Sequence, residues 1–200
     1  MERDFFMKTK RIGFSEWEAE DIELAKLLWG DSEVTRFICA SGIFRQEEIE
    51  NRLKSEIERN SIYHIQYWPI FELASKELIG CCGLRPYKEK TYEIGFHLRP
   101  KFWGQGFAAE AATAVMEYAC TSLGAERLFA GHHPDNKASQ KVLGKLGFQY
   151  TGDEFYEPTG LYHPSYEWKK QAWRLCEKCL RGSVSCRDMK ERISYYLCAV

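Results

Sequence analysis

The residues whose types and spacing most clearly indicate a chemical function lie between a predicted strand and a predicted helix. The segment Lys101-Phe102-Trp103-Gly104-Gln105-Gly106 follows an alternating stretch at 92–98 and precedes an alanine-rich run. Glycines allow backbone N–H groups to approach a ligand closely, because no Cβ intervenes. The start of a helix adds free N–H donors and a partial positive charge. The pattern therefore predicts a site for a pyrophosphate, with a purely structural turn as the alternative.

A second polar cluster opens another predicted helix. Asn136 and Ser139 follow the segment His132-His133-Pro134 and lie three residues apart. At a helix start this spacing points both side chains to one side, so a ligand lying between the two helices would touch both. Ordinary N-capping is the alternative.

The elements that must position these residues follow from hydrophobic periodicity and from turn residues. Strands are predicted at 9–14, 63–74, 77–84, 92–98, 126–131, 148–157 and 161–168, and helices at 21–29, 46–59, 107–123 and 135–146. In the strand at 92–98, alternation puts Glu93, Gly95 and His97 on one face, opposite an apolar face. The order β-α-α-β-β-β-α-β-α-β-β predicts a mixed α/β domain built on one sheet.

Composition narrows the class of protein. Apolar residues make up 44% of the chain and charged residues 28%, which is typical of a globular domain. A net charge of −1 gives no basic field for nucleic acid, and no apolar run approaches the roughly 20 residues of a membrane span. Since the N-terminus lacks an apolar signal core, we expect a cytoplasmic protein, and we expect Cys39, Cys81, Cys82 and Cys120 to be reduced thiols.

The glycine loop resembles the Arg/Gln-x-x-Gly-x-Gly/Ala pyrophosphate loop of the GNAT acetyltransferases, with Lys101 replacing the usual Arg or Gln. The segments 103–111 and 136–148 are similar to the RimJ/RimL branch, as is the opening Thr9-Lys10-Arg11-Ile12. The resemblance covers residues 8–170. It implies the α/β (α+β) GNAT acyl-CoA N-acyltransferase fold: a mixed, mostly antiparallel sheet with a V-shaped split between its two central strands and helices on both faces.

The resemblance also implies an activity. Members of the family transfer acetyl from acetyl-CoA, the acyl donor, to a primary amine of a protein N-terminus or a small molecule, by direct attack in a ternary complex. The residues that would bind the cofactor are Phe96, His97, Leu98, Lys101, Phe102, Trp103, Gly104, Gln105, Gly106, Phe107, Ala108, Asn136 and Ser139. No metal is implied for this site.

Two residues match catalytic positions of the family. Glu93 stands where many members carry a strand glutamate, so it is the first candidate for the base that deprotonates the amine, although a structural role is the alternative. His97, His132 and His133 are further candidates, because imidazole titrates near neutral pH. The tyrosine that many members use to protonate the leaving thiolate is absent, since positions 143 and 144 are Leu143 and Gly144. The resemblance to RimL-type enzymes assigns that role to Ser139.

The C-terminal segment 171–200 has no counterpart in the family pattern. It contains Cys176, Cys179, Cys186 and Cys198, but a single CxxC supplies only half of a zinc site. We expect an atypical, helical extension whose apolar faces pack on the domain or on a second subunit in a homodimer. Two rival functions follow: a catalytically silent acyl-CoA-binding regulator, and an interaction protein that acts through this tail.

Overall fold

The computed structural model describes residues 3–170, which form a single mixed sheet flanked by helices. The strands lie in the order β1-β2-β3-β4-β5-β6-β8-β7. Only β5 and β6 pair in parallel among the described strands. Their bounds are β1 Met7–Lys8, β2 Ile12–Phe14, β3 Tyr67–Glu72, β4 Leu78–Lys88, β5 Thr91–Leu98, β6 Arg127–Gly131, β7 Gln149–Tyr156 and β8 Leu161–Lys169.

Helices cover both faces of this sheet. They are α1 Ile22–Trp29, α2 Ser32–Thr35, α3 Gln46–Tyr63, α4 Phe107–Ser122 and α5 Lys137–Lys145. One buried cluster joins α4 and α5 to the sheet, and a second joins α1, α2 and α3 to the opposite face. The neighbouring residues Cys81 and Cys82 of β4 belong to different clusters, because successive side chains of a strand point to opposite faces.

The two central strands separate part of the way along the sheet. β5 pairs with β6 only where Thr91 to Glu93 face Arg127 to Phe129. Beyond Glu93, β5 keeps its antiparallel partner β4, while β6 keeps β8. The facing edges of 94–98 and 130–131 therefore have no strand partner among the described residues, and this opening is the V-shaped split that the family resemblance implied.

Most predicted elements are confirmed, with differences that have local causes. Helix α3 continues to Tyr63, because 60–63 contains no glycine or proline, and it ends at His64 in the left-handed region (φ 56°). Strand β3 consequently begins at Tyr67. The short elements β1 and α2 were not predicted, since two and four residues carry no periodicity. None of the helices in residues 3–170 is long and apolar enough to cross a membrane. The predicted extension at 171–200 lies outside the described residues.

Candidate functional site

A cavity of about 800 Å³ occupies the split between β5 and β6. Its wall includes Arg52 and Tyr67 from the α3 side of the sheet. It also includes Phe107 and Ser139 from the α4 and α5 side. The cavity thus connects the two faces of the sheet, so a ligand entering on one side can meet a second ligand arriving from the other.

The glycine loop forms the cavity wall at the start of α4. Gly104 and Gly106 both have left-handed backbones, with φ of 73° and 82°. A Cβ added at Gly104 would meet no protein atom within 4 Å, so space beside the backbone is open. The first hydrogen bond of α4 runs from Glu110 N–H to the Gly106 carbonyl at 3.1 Å. The N–H groups of Phe107 and Ala108 precede it and have no intrahelical acceptor, as an anion site requires.

An N-terminal clamp holds this loop against α4. Thr9 Oγ1 donates to Glu110 Oε1 at 2.6 Å, and Arg11 Nε donates to Glu110 Oε2 at 2.7 Å. Arg11 also donates through Nη1 to the Gln105 carbonyl at 3.0 Å and lies 4.1 Å over the Phe107 ring. Burial would raise the pKa of Glu110, but the hydrogen bonds from Thr9 and Arg11 outweigh it and lower that pKa. The contacts of Thr9 and Arg11 with Glu110 therefore give a structural reason why the chain opening resembles that of the RimJ/RimL branch.

We predict that Arg11→Ala weakens acetyl-CoA binding up to about tenfold, because the loop loses a hydrogen bond and a cation–π contact together worth about 1–2 kcal/mol. Titration calorimetry with CoA measures this, and Lys10→Ala is a matched control on the exposed neighbour. Wild-type affinity together with a lowered melting temperature would show that the clamp serves only the fold.

Two of the predicted cofactor residues do not line the cavity. The Lys101 ammonium forms an ion pair with the Glu77 carboxylate at the start of the neighbouring hairpin. Gln105 folds back and donates through Nε2 to the Lys101 carbonyl at 2.7 Å. Trp103 does line the cavity and donates its indole N–H to the Leu98 carbonyl at 2.7 Å. The loop therefore presents backbone donors to the cavity, while its one cation is neutralised by a local acid that the sequence pattern did not reveal.

The remaining predicted cofactor residues lie along the cavity. They are Phe96, His97, Leu98, Phe102, Trp103, Gly104, Gly106, Phe107, Ala108, Asn136 and Ser139. Asn136 Oδ1 accepts from the Ser139 N–H at 3.0 Å, so Asn136 caps α5 as the alternative interpretation expected. Ser139 also lines the cavity. Within residues 3–170, the Ser139 hydroxyl has no hydrogen-bond partner.

Glu93 lies at the apex of the split with a fixed carboxylate. The Tyr67 hydroxyl donates to Glu93 Oε1 at 2.9 Å. Gly95 makes room for it, since a Cβ there would stand 2.3 Å from the Tyr67 oxygen. Burial and the nearby Glu93 charge raise the pKa of Tyr67 well above its usual value, so the phenol stays protonated and donating. Among residues 3–170, no hydrogen bond is made to the second Glu93 oxygen, which leaves it available to a ligand.

The buried carboxylate of Glu56 lies near the Tyr67–Glu93 pair and forms ion pairs with three arginines. Glu56 Oε2 accepts from Arg59 Nη1 at 2.7 Å and from the Tyr67 backbone N–H at 3.0 Å. Glu56 Oε1 accepts from Arg85 Nη2 at 2.9 Å and lies 3.3 Å from Arg52 Nε. The Arg85 guanidinium lies 4.2 Å over the Tyr67 ring. Burial would raise the pKa of Glu56, but the arginine charges and the Tyr67 N–H outweigh it and lower that pKa.

Sequence reasoning missed this network, although it left a signal. Glu56 lies seven residues after Ile49 and three after Leu53, on the apolar stripe of α3. A fully buried acid on such a stripe must have partners. Arg85 also stands directly across from Glu93 in the β4–β5 ladder. The network therefore connects α3 to the strand that carries Glu93.

Burial lowers the pKa of two of the histidine candidates, His97 and His132. His97 Nδ1 accepts from the Trp29 indole at 3.2 Å. Burial and the charges of Arg52 and Arg85 lower the pKa of His97 well below its usual value. Burial likewise lowers the pKa of His132, whose ring stacks on Tyr166 at 5.3 Å. A lowered pKa makes these two imidazoles weaker proton acceptors than an ordinary histidine, which counts against both as the base.

Metal binding has no organised site in residues 3–170, and the Cys81 thiol of β4 is unreactive. In residues 3–170, no group of three or more His, Cys, Asp or Glu side chains could hold a metal ion. Burial raises the pKa of the Cys81 thiol to about 12, so this cysteine stays protonated. The tail cysteines lie outside the described residues.

Comparisons with known proteins agree with this geometry. Residues 11–149 match the family model described as an acetyltransferase (GNAT) domain. The protein named Uncharacterized N-acetyltransferase YoaA, from Bacillus subtilis, is 31% identical over 151 residues, which are 73% of this chain and 84% of that protein. A GNAT-family acetyltransferase structure from Bacillus anthracis is 25% identical, with a TM-score of 0.72, covering 84% of this chain and all of the other (100%).

A further solved structure contains a ligand. RimL, a ribosomal L7/L12 α-N-protein acetyltransferase determined in complex with coenzyme A, has a TM-score of 0.70 at 17% identity and covers 83% of this chain and 98% of its own. At that identity the likeness shows the fold alone. The family model spans well over half of the chain, and it coincides with the split sheet and the glycine loop. The chain therefore belongs to the GNAT family of N-acetyltransferases.

Proposed function

We propose that this enzyme transfers the acetyl group of acetyl-CoA to a primary amine by direct attack in a ternary complex. The observation that carries the proposal is the cavity through the split sheet. Phe107 and Ala108, at the start of α4, line it at one side, and the Glu93 carboxylate lies at its apex. A donor and an acceptor can therefore meet without a covalent enzyme intermediate.

The donor is positioned by backbone groups. The pyrophosphate binds the N–H groups at Gly104 to Ala108, where the start of α4 favours negative charge. The pantetheine arm then follows the free edge of β5 along Phe96 to Leu98, as an added strand would. This direction places the thioester toward Glu93, with a strand N–H available to polarise its carbonyl.

The chemistry needs one proton removed and one supplied. Glu93 accepts a proton from the ammonium form of the acceptor, directly or through a water, which frees the nitrogen lone pair. The nitrogen attacks the thioester carbon, the new C–N bond forms, and the C–S bond breaks as the tetrahedral intermediate collapses. Ser139 donates a hydrogen bond to the departing CoA thiolate, which takes the second proton that the nitrogen loses as the amide forms. Tyr67 holds the Glu93 carboxylate in place.

The acceptor is a primary amine of a protein N-terminus or a small molecule. The acceptor side of the cavity carries aromatic and acidic side chains, and Phe37, Tyr156, Glu33 and Glu154 line it. Glu33 is paired with Arg36, whereas the Glu154 carboxylate forms no ion pair within residues 3–170 and can attract an ammonium group. Aromatic faces also favour a cation nearby. An amine panel that includes peptides with free N-termini, assayed by release of CoA thiol, identifies the class.

The cofactor assignment predicts that Gly104→Glu abolishes CoA binding, because a carboxylate would enter the space that the pyrophosphate occupies. Gly124→Glu is the matched control, since Gly124 also has a positive φ of 65° and nothing within 4 Å of its Cβ. Both variants carry the same charge and the same backbone strain. CoA binding by a folded Gly104→Glu protein, measured by calorimetry, would overturn the loop assignment.

A further inference from the structure

Arg52 lines the cavity on the α3 side of the sheet and makes no hydrogen bond within residues 3–170. Its Nε lies 3.3 Å from Glu56 Oε1, but this buried atom has no hydrogen-bond partner in that part of the chain. The other two arginines around Glu56 differ, because Arg59 and Arg85 each donate to one of its oxygens, at 2.7 and 2.9 Å. The N–H donors of Arg52 are therefore available to a ligand in the cavity.

Two aromatic rings hold the Arg52 guanidinium beside the apex of the split. Its Cζ lies 5.4 Å from the centre of the Trp29 ring and 5.9 Å from the centre of the Tyr67 ring. The Tyr67 hydroxyl donates to Glu93 Oε1 at 2.9 Å. Arg52 and Glu93 are thus neighbours of the same phenol, and both line the cavity. A small acceptor that brings its amine to Glu93 can therefore reach Arg52 with a second group.

The charges around Glu56 do not balance. This carboxylate forms ion pairs with the guanidinium groups of Arg52, Arg59 and Arg85. The only other carboxylate of the described chain in this network is Glu93, which lies across from Arg85 in the β4–β5 ladder. Two carboxylates against three guanidinium groups leave one positive charge in excess. Burial and the charge of Arg85 also lower the pKa of Arg52, so an anion beside this guanidinium would be stabilising.

An arginine in this setting suits a carboxylate. Its planar guanidinium donates two parallel hydrogen bonds to a carboxylate, and such bonds are stronger in a desolvated site. One excess positive charge matches one carboxylate, whereas a phosphomonoester brings a charge of about −1.5 to −2. With Glu93 placed to accept a proton from an ammonium group, Arg52 and Glu93 together suit a ligand that carries both a carboxylate and an amine.

We propose that Arg52 binds a carboxylate of the acceptor, so that this enzyme prefers primary amines that carry a carboxylate close to the nitrogen. The proposal rests on the proposed function, because it names the class of amine that reaches Glu93. Arg52 determines specificity by positioning the acceptor, and it takes no part in proton transfer. The carboxylate belongs either to a free α-amino acid or to an acidic side chain at the start of a peptide, and matched substrates distinguish these two sources.

Rates of CoA thiol release with matched amines test the proposal. The first set compares free α-amino acids with their primary amides and with the amines that lack the carboxyl group. The second set compares peptides that begin with Asp or with Asn and end in a C-terminal amide. In one of these sets we expect a wild-type kcat/KM about 10- to 100-fold higher for the substrate with the carboxylate, as charge-assisted hydrogen bonds imply. A preference in the first set identifies an α-carboxylate, and a preference in the second identifies a side-chain carboxylate.

Arginine variants test whether Arg52 causes this preference. Arg52→Gln should reduce the ratio of the two kcat/KM values about 10- to 100-fold, with CoA affinity at the wild-type value as the check on folding. Arg52→Lys should retain only part of the ratio, because an ammonium group lacks the planar pair of donors. Arg59→Gln is the matched control and should leave the ratio unchanged, since Arg59 lies on the same helix and pairs with Glu56 but does not line the cavity.

Two results would overturn the inference. One is a wild-type enzyme that, in both sets, acetylates the amines without a carboxylate at least as well as their matched partners, and this comparison needs no variant. The other is an Arg52→Gln enzyme that keeps the full preference. Either result would leave acetyl transfer to an amine intact. Absence of amine-dependent thiol release with every amine tested would instead contradict the proposed function itself.

Discussion

Glu93→Gln is expected to lower kcat by about 10²- to 10⁴-fold, the usual contribution of a positioned base. The amide keeps the size of the carboxylate and its hydrogen bond with Tyr67, but it cannot accept the ammonium proton. The acid limb of the kcat profile should disappear, because that limb reports protonation of the base. Acetyl-CoA affinity should stay at the wild-type value, since Glu93 lies at the apex of the split and not at the glycine loop. Steady-state release of CoA thiol at a series of pH values measures kcat and its pH profile. Titration calorimetry with CoA measures the affinity.

Two further variants distinguish a catalytic role of Glu93 as the base from a purely structural role. Tyr67→Phe removes the hydrogen bond that orients Glu93, and it should lower kcat by a smaller factor, about tenfold, while preserving the acid limb. Glu89→Gln changes an exposed carboxylate in the turn between β4 and β5 and should alter neither quantity. A Glu93→Gln enzyme with an unchanged pH profile would remove Glu93 as the base.

Glu56→Gln should cost about 3–5 kcal/mol in the free energy of unfolding at neutral pH, because it leaves the guanidinium groups around Glu56 without their buried counter-charge. Glu56 is fully buried, and Arg52, Arg59 and Arg85 all lie within 3.3 Å of its oxygens. Urea denaturation measures the loss. Glu58→Gln on the same helix, where the pair with Lys54 is exposed, should change the unfolding free energy by less than about 1 kcal/mol.

The pH dependence of this loss follows from the lowered pKa of Glu56. A carboxyl group whose pKa is lower in the folded state stabilises the protein above its unfolded-state pKa, and the contribution is lost as pH falls through the folded-state value. The difference between wild type and Glu56→Gln should therefore be full at neutral pH and shrink in acid, below about pH 4. A difference that does not change between neutral and acidic pH would show that Glu56 acts through shape and not through charge.

The sequence predicted those parts of the fold that depend on local pattern. The strand with Glu93, the glycine loop and the cap at Asn136 all follow from alternation, glycine content and helix-start chemistry, which act within a few residues. The family resemblance added the split in the sheet and the direction of the donor.

Long-range pairing explains what sequence reasoning missed. The ion pairs of Lys101 with Glu77 and of Arg85 with Glu56 join residues that are 24 and 29 positions apart in the chain. Helical spacing places Arg52 and Arg59 next to Glu56 on α3, but periodicity carries no information about charges that meet across different elements. Glu56 on the apolar stripe of α3 was a visible exception to amphipathic patterning, but its partner Arg85 was identifiable only from the assembled sheet.

The most direct test of the central claim follows both products of the transfer in one reaction. The enzyme is incubated with acetyl-CoA and the amine panel, and the released CoA thiol is compared with acetylated amine detected by mass spectrometry. We predict that thiol release depends on the amine, matches acetylated amine one for one, and is lost in Gly104→Glu but retained in Gly124→Glu. Tight CoA binding without amine-dependent thiol release for any acceptor would contradict this account and indicate an acyl-CoA-binding regulator on the same fold.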